Sequence, residues 1–218
     1  MSNLLLNPGF ETWSGGTSFS LGPGQQFTTT ANNWQSGCGV SALDANMTLQ
    51  VSKDIVVFDS GLASIKNQIA TTTNPPLGDF CQVRQIQFPI IVVTGNVITF
   101  TVRVKIDATN CGVTVTPLVF NGNVDSNGTS GGIFVQKGSQ SNWTTLSTVV
   151  GYTGTTPNLL RASVVMNPQD ANGTAVVWLD TFDFEVTVAQ PISSTLNDSI
   201  LSQDWVSANK LNEVTFGD

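Results

Sequence analysis

The chain has 218 residues, 11% of them charged, with 8 basic against 15 acidic side chains, a net charge of −7 and no histidine. So few cations exclude clustered phosphate contacts, and with them direct nucleic-acid binding and attraction to an anionic membrane. The lack of histidine excludes the Ser-His-Asp and Cys-His nucleophile systems and the commonest general base.

A charged fraction less than half the roughly 25% of ordinary soluble domains leaves a surface of Thr, Ser, Asn, Gln and Gly, or one covered by other chains. The length suits one all-β core better than two small ones. The N-terminus has neither a basic region nor a long apolar core, and Leu4-Leu5-Leu6 is too short for a signal peptide or a span. The expectation is a chain made in a host cytoplasm.

In chain order, Leu4-Leu5-Leu6 leads into the turn Asn7-Pro8-Gly9, and Glu11 then stands between Phe10 and Trp13. Runs rich in Val, Ile, Thr and Phe with period-two alternation follow at 48–52, 82–88, 96–106, 112–120, 144–151, 159–166 and 174–188. Residues 54–67 alternate poorly and read as a loop. Between the runs lie Thr73-Asn74-Pro75-Pro76, Thr94-Gly95-Asn96, Asn121-Gly122-Asn123, Asp125-Ser126-Asn127-Gly128 and Asn172-Gly173, residues that pre-set turns or accept positive φ.

In 97–106, Ile98, Phe100, Val102, Val104 and Ile106 share one face and must be buried, while Val97, Thr99, Thr101, Arg103 and Lys105 share the other. Pro117 removes a ladder donor and places its run at an edge or a bulge. Many short strands with turns at this spacing predict an all-β fold: a two-sheet antiparallel β-sandwich, or jelly roll, over 1–190. Beyond Pro191, residues 191–218 form a C-terminal arm. Leu201, Trp205, Ala208 and Leu211 fall there at helical intervals after Asp198 or Ser199. The arm packs on the sandwich or docks on a neighbouring subunit.

Cys38, Cys81 and Cys111 form an odd set with no zinc-like spacing. Three reduced, half-buried thiols are expected, in keeping with cytoplasmic folding. Gly15-Gly16 and Gly131-Gly132 precede neither a helix nor a Lys, so neither is a phosphate loop. Paired carboxylates for glycoside hydrolysis would come from Glu11, Asp180, Asp183 and Glu185. Asp183 and Glu185 share a strand face and read as solvated, so no enzyme is expected. Asp180 interrupts the apolar run Val176-Val177-Trp178-Leu179, and a carboxylate there needs a hydrogen-bond network, an arginine or a hard cation.

Several pieces follow one another in a telling order. They are Asn3-Leu4-Leu5, Asn7-Pro8-Gly9-Phe10-Glu11, Asn33-Trp34, Val83-Arg84-Gln85-Ile86, Gly95-Asn96-Val97-Ile98-Thr99-Phe100, Asn142-Trp143-Thr144-Thr145-Leu146-Ser147 and Val177-Trp178-Leu179-Asp180. Over residues 3–188 this order resembles galactose-binding-like jelly-roll domains, the type found in carbohydrate-binding modules of secreted glycosidases. The resemblance implies a structural calcium at Glu11 and Asp180, although Thr181 stands where the family often has a second acid. The same jelly roll occurs in bacteriophage tail and capsid-surface proteins, and the chain is similar to these in its sparsely charged, Thr/Asn-rich surface.

The expected function is that of a virion surface protein, a capsid decoration or tail-fibre component. Its expected partners are other virion proteins and copies of itself, a trimer being the natural closed ring. The alternative is a free-standing extracellular carbohydrate-binding module or adhesin. A cell-surface glycan would meet Gln82, Arg84, Gln85, Arg103, Lys105 and Tyr152, while Trp34, Trp143 and Trp178 fall at core positions. Trp13, Leu201, Trp205 and Leu211 are the interface candidates.

Overall fold

A computed structural model describes residues 4–22, 27–38, 47–72, 80–86, 90–121, 124–125, 129–130, 133–135, 138, 142–152 and 158–188. Among them there is no helix. The strands are β1 (Ser18–Leu21), β2 (Thr28–Thr29), β3 (Trp34–Cys38), β4 (Met47–Asp54), β5 (Ser64–Thr71), β6 (Cys81–Gln85), β7 (Ile90–Val92), β8 (Asn96–Asp107), β9 (Val113–Asn121), β10 (Val124–Asp125), β11 (Thr129–Ser130), β12 (Ile133–Val135), β13 (Thr144–Gly151), β14 (Asn158–Pro168) and β15 (Thr174–Val188).

The first sheet runs β1-β4-β5-β15-β8-β13-β11. The second runs β10-β9-β14-β6-β3-β2, with β12 added to β9 and β7 to β14. The neighbours pair antiparallel, as in β4 with β5, β13 with β8 and β14 with β9. The chain is an all-β sandwich, as its alternation predicts.

Its core lies between the two inner faces. Ile98, Phe100, Val102, Val104 and Ile106 of β8 are wholly buried, and the second sheet answers with Val83, Val113, Val115, Ala162, Val164 and Met166. Each large side chain so buried contributes about 1.5–3 kcal/mol relative to exposure. On β9, β12 meets Val113–Val115 and β10 meets Phe120–Asn121. Pro117, with no N–H to donate, falls between those two contacts, at the edge its sequence position requires.

Four expectations need correction. The segment 54–67 is a loop only from 55 to 63, because β5 begins at Ser64. Cys38 and Cys81 are not free thiols. They sit directly opposite each other on β3 and β6, with Cα atoms 4.2 Å apart, and form a disulfide, leaving Cys111 as the buried free thiol. Trp178 is not in the core: it points out of the first sheet, its indole N–H donating to Asp54 Oδ2 at 2.8 Å beneath the Lys66 ammonium. Trp143 is only half-buried, whereas Trp34 is fully enclosed as expected.

By contacts the chain divides into Met1–Thr187, which holds the sandwich, and Val188–Asp218. Leu201, Trp205 and Leu211 lie outside the described residues.

Candidate functional site

Among the described residues, polar side chains gather at a corner of the first sheet and on the outer face of the second. The first is a corner built on an irregularity in β15. This strand buries Ala175, Val177 and Leu179, then Phe182 and Phe184, so its inward phase shifts by one residue at Asp180–Thr181, where Thr181 takes φ 46°. One extra residue of this kind is a β-bulge. The strand changes neighbour there. Residues 174–179 pair with β5, but Phe182 N–H donates to Pro8 O and Phe184 O accepts from Leu4 N–H. The N-terminal segment thus takes the place that the loop 55–63 vacates.

Asn7 sets that segment's turn. It takes φ 53°, accepts from Thr12 N–H through Oδ1, and donates through Nδ2 to the carbonyls of Thr12 and Asn32. Phe10, at φ 56°, is driven into the core, where it meets Trp34 and Phe182 at ring-centroid distances of 5.0 Å each. Glu11 is left facing the loop.

The carboxylates of the corner take up the loop's backbone donors. Asp180 Oδ2 accepts from Asp59 and Ser60 N–H at 2.8 and 3.0 Å, Oδ1 accepts from Thr181 N–H, and Glu11 Oε1 accepts from Leu62 N–H. Asp54 Oδ1 holds Val56 and Val57 N–H. Arg103 grips both oxygens of Asp59 at 2.8 Å and also donates to Thr145 Oγ1. Gly61, at φ 69°, has no room for a Cβ against the Glu11 carboxylate.

Burial raises the Asp180 carboxyl above its ordinary value, the nearby charge of Asp59 adds to this, and the three N–H donors oppose it. At Asp54 burial also pulls upward. The donors from Val57, Trp178 and Val56, with the charge of Lys66, prevail and hold the carboxyl low.

Glu11 and Asp180 do come together, one carboxylate oxygen of each lying within 4 Å of where a Gly9 Cβ would stand. The pair does not fit a calcium cage. Calcium takes six to eight oxygen ligands, whereas these oxygens already accept N–H donors, and no group of three or more acidic, His or Cys side chains gathers among the described residues.

The second place is the outer face of the second sheet. Arg84 lies opposite Gln35 on one side and Ser163 on the other, and Gln82 lies opposite Gly37. Phe27 leans across Gly37, where a Cβ would come within 2.9 to 3.1 Å of three ring atoms. The Arg84 guanidinium carbon sits 3.3 Å from the Phe27 ring centroid. One weak bond, 3.5 Å to Gln35 Oε1, engages the guanidinium edge, and its buried Nε has no hydrogen-bond partner among the described residues. Burial, with the neighbouring charge of Arg161, pulls the Arg84 pKa down to about 10.

The structure does not assemble the expected glycan face. Arg103 and Lys105 belong to β8 of the first sheet and Arg84 to β6 of the second, so they lie on opposite outer faces. Gln85 points into the core beside Trp34, its amide unpartnered among the described residues, and the structure offers no reason for this. Gln82 is buried and donates to Ser163 Oγ at 2.6 Å. Tyr152 is a core residue, 8% exposed. Trp13 stacks on Phe19 and donates to Phe10 O, within its own chain. Nothing in the linear sequence marks Phe27; the β2–β3 pairing carries it over Gly37.

No family model and no curated protein matches the sequence. Among solved structures, a cyclase from Fischerella sp. in its apo form is similar, with a TM-score of 0.55 and 10% identity over 87% of this chain and 97% of that one. A carbohydrate-binding module of the β-sandwich superfamily gives 0.49 and 13% over 76% of this chain, which spans only 63% of that one. The enzymatically active domain of Bacteriophage CBA120 tailspike protein 4 gives 0.43 and 12%, covering 85% and 21%. At 10% identity the likeness to the cyclase is one of fold alone.

Proposed function

We propose that the chain is a non-enzymatic binding module that recognises a polysaccharide on the outer face of its second sheet and serves as a surface component of a phage-type virion. The observation that carries the binding part is the Arg84 guanidinium set over the Phe27 ring beside Gly37. A stacked guanidinium keeps its in-plane N–H donors for a ligand, and arene and donors side by side are what a sugar ring and its hydroxyls require.

Chemistry on the chain itself finds little support. The Asp180 oxygens are committed to backbone donors, and Asp183 and Glu185 lie on the strand face away from buried Phe182 and Phe184. Retention of the folded protein on immobilised polysaccharides, weakened in Phe27→Ala, tests the binding reading. Turnover of any retained polysaccharide would refute the non-enzymatic part.

The virion part is favoured by a separate observation. Ile55, Val56 and Leu62 are 67%, 83% and 75% exposed on a loop held by Asp54, Asp180 and Glu11. Apolar side chains presented on a rigid loop suit docking against another protein. Co-sedimentation with particles, lost in Val56→Ser with Leu62→Ser, is the expected result. A trimer is the expected solution state, checked by light scattering.

A further inference from the structure

We propose that the Cys38–Cys81 bond is a redox latch on the Phe27–Arg84 face. Oxidised, it holds the face in its binding geometry; reduced to two thiols, it lets the end of β3 leave the sheet and take the Phe27 contact with it. The proposal rests on the reading that this face binds a saccharide, and adds the condition under which it does so.

The bond lies next to the face on both strands. On β3, Cys38 follows Gly37, the glycine across which Phe27 leans. On β6, Cys81 stands opposite Cys38, and Arg84 stands opposite Gln35 in the same strand pair, its guanidinium carbon 3.3 Å from the Phe27 ring centroid. The two strands are not held alike. β14 pairs with β6 from Arg84 to Cys81, so Arg84 has a neighbouring strand on each side. β3 has five residues, and β2 pairs only with its Gln35 and Ser36. Among the described residues, the Gly37–Cys38 end of β3 is therefore paired with β6 alone and secured there by the bond. A strand end paired on one side opens more readily than one paired on both.

Both cysteines face the core, 2% and 0% exposed, so a reductant meets them when that end opens. A dithiol then attacks one sulfur as its thiolate, forms a mixed disulfide and closes on itself. The S–S bond breaks, the dithiol becomes a cyclic disulfide, and two electrons and two protons pass to Cys38 and Cys81. Gly37 is then free to move away from β6, and Phe27 loses the surface that sets it beneath Arg84. In a reducing cytoplasm the pair stays as thiols, whereas an oxidising exterior closes it, so the face would become competent on release.

Hydrogen exchange read by mass spectrometry reports on the latch with no ligand present. The full chain is compared oxidised and after treatment with dithiothreitol, with β8 of the other sheet as the internal reference. Exchange about tenfold faster or more over residues 28–38, with 98–106 still protected, is expected on reduction. Retention on immobilised polysaccharides should fall by a similar factor. Cys38→Ser with Cys81→Ser should match the reduced chain in both measurements with or without dithiothreitol, and Cys111→Ser, which leaves the bond intact, should match wild type. Unchanged exchange over 28–38 in the double variant would overturn the latch. Loss of protection in β8 as well would overturn it too, since the bond would then support the whole fold. Faster exchange with undiminished retention would overturn control of binding by the bond. No retention of the oxidised chain, with exchange still responding, would refute the saccharide reading and support the latch.

Discussion

The corner at Asp180 and the face at Arg84 are both built on partly or wholly buried charge, yet they treat it differently. At the corner the charge is answered within the chain. Asp180 receives three backbone N–H groups, Asp59 receives Arg103, and Glu11 receives Leu62. At the face, Arg84 has an arene beneath it, a second arginine beside it and, among the described residues, one long hydrogen bond. Fully satisfied polar groups fix a structure, whereas an unsatisfied one leaves donor capacity that an external partner can take up.

Asp180→Ala should separate the two most sharply. It orphans the N–H groups of Asp59, Ser60 and Thr181 and should cost about 3 kcal/mol of stability by denaturant unfolding, with polysaccharide retention kept under folding conditions. Gly37→Ala should act the other way. Its Cβ would force Phe27 off the sheet, lowering retention while costing only about 1 kcal/mol in the same unfolding measurement.

A subtler effect follows from the raised Asp180 carboxyl. Because the folded state binds that proton more tightly than the unfolded state, the contribution is full below the ordinary carboxyl pKa and lost as pH rises through the raised one. Wild type should therefore gain stability relative to Asp180→Asn as pH is lowered from 7, measured as the difference in thermal midpoints. The smallest effect is expected from metal: adding calcium or a chelator should leave the midpoint where it was. A clear rise with calcium would assign Glu11 and Asp180 to a cation after all.

The sequence announced some of this and concealed the rest for physical reasons. β8 was legible because every second residue from Ile98 to Ile106 is apolar and the core takes all of them. β5 was not, because Asn67 and Thr71 occupy inward positions and the preceding loop carries exposed Ile55, Val56 and Leu62 in place of polar turn residues. Trp178 was misplaced since its strand keeps odd residues inward only up to the bulge, which leaves even-numbered 178 outside.

The meeting of Glu11 with Asp180 could be anticipated from an acid stranded in an apolar strand and a resemblance at the opposite end of the chain. The Cys38–Cys81 bond could not, since β3 is short and shows no alternation, so the register that opposes the two cysteines was invisible. The Arg84 face required both that register and the β14 pairing, and one-dimensional spacing contains neither.

β15 lies between β5 and β8 in the middle of the first sheet, though it is the last of the described strands in chain order. During synthesis, then, the keystone emerges after the stones on either side of it. Residues 4–11 must wait for a partner more than 170 positions downstream. Assembly dominated by such distant contacts is slow and leaves unpaired edges open for long intervals, so a ribosome-bound chain halted before Thr174 should still be protease-sensitive throughout its first sheet.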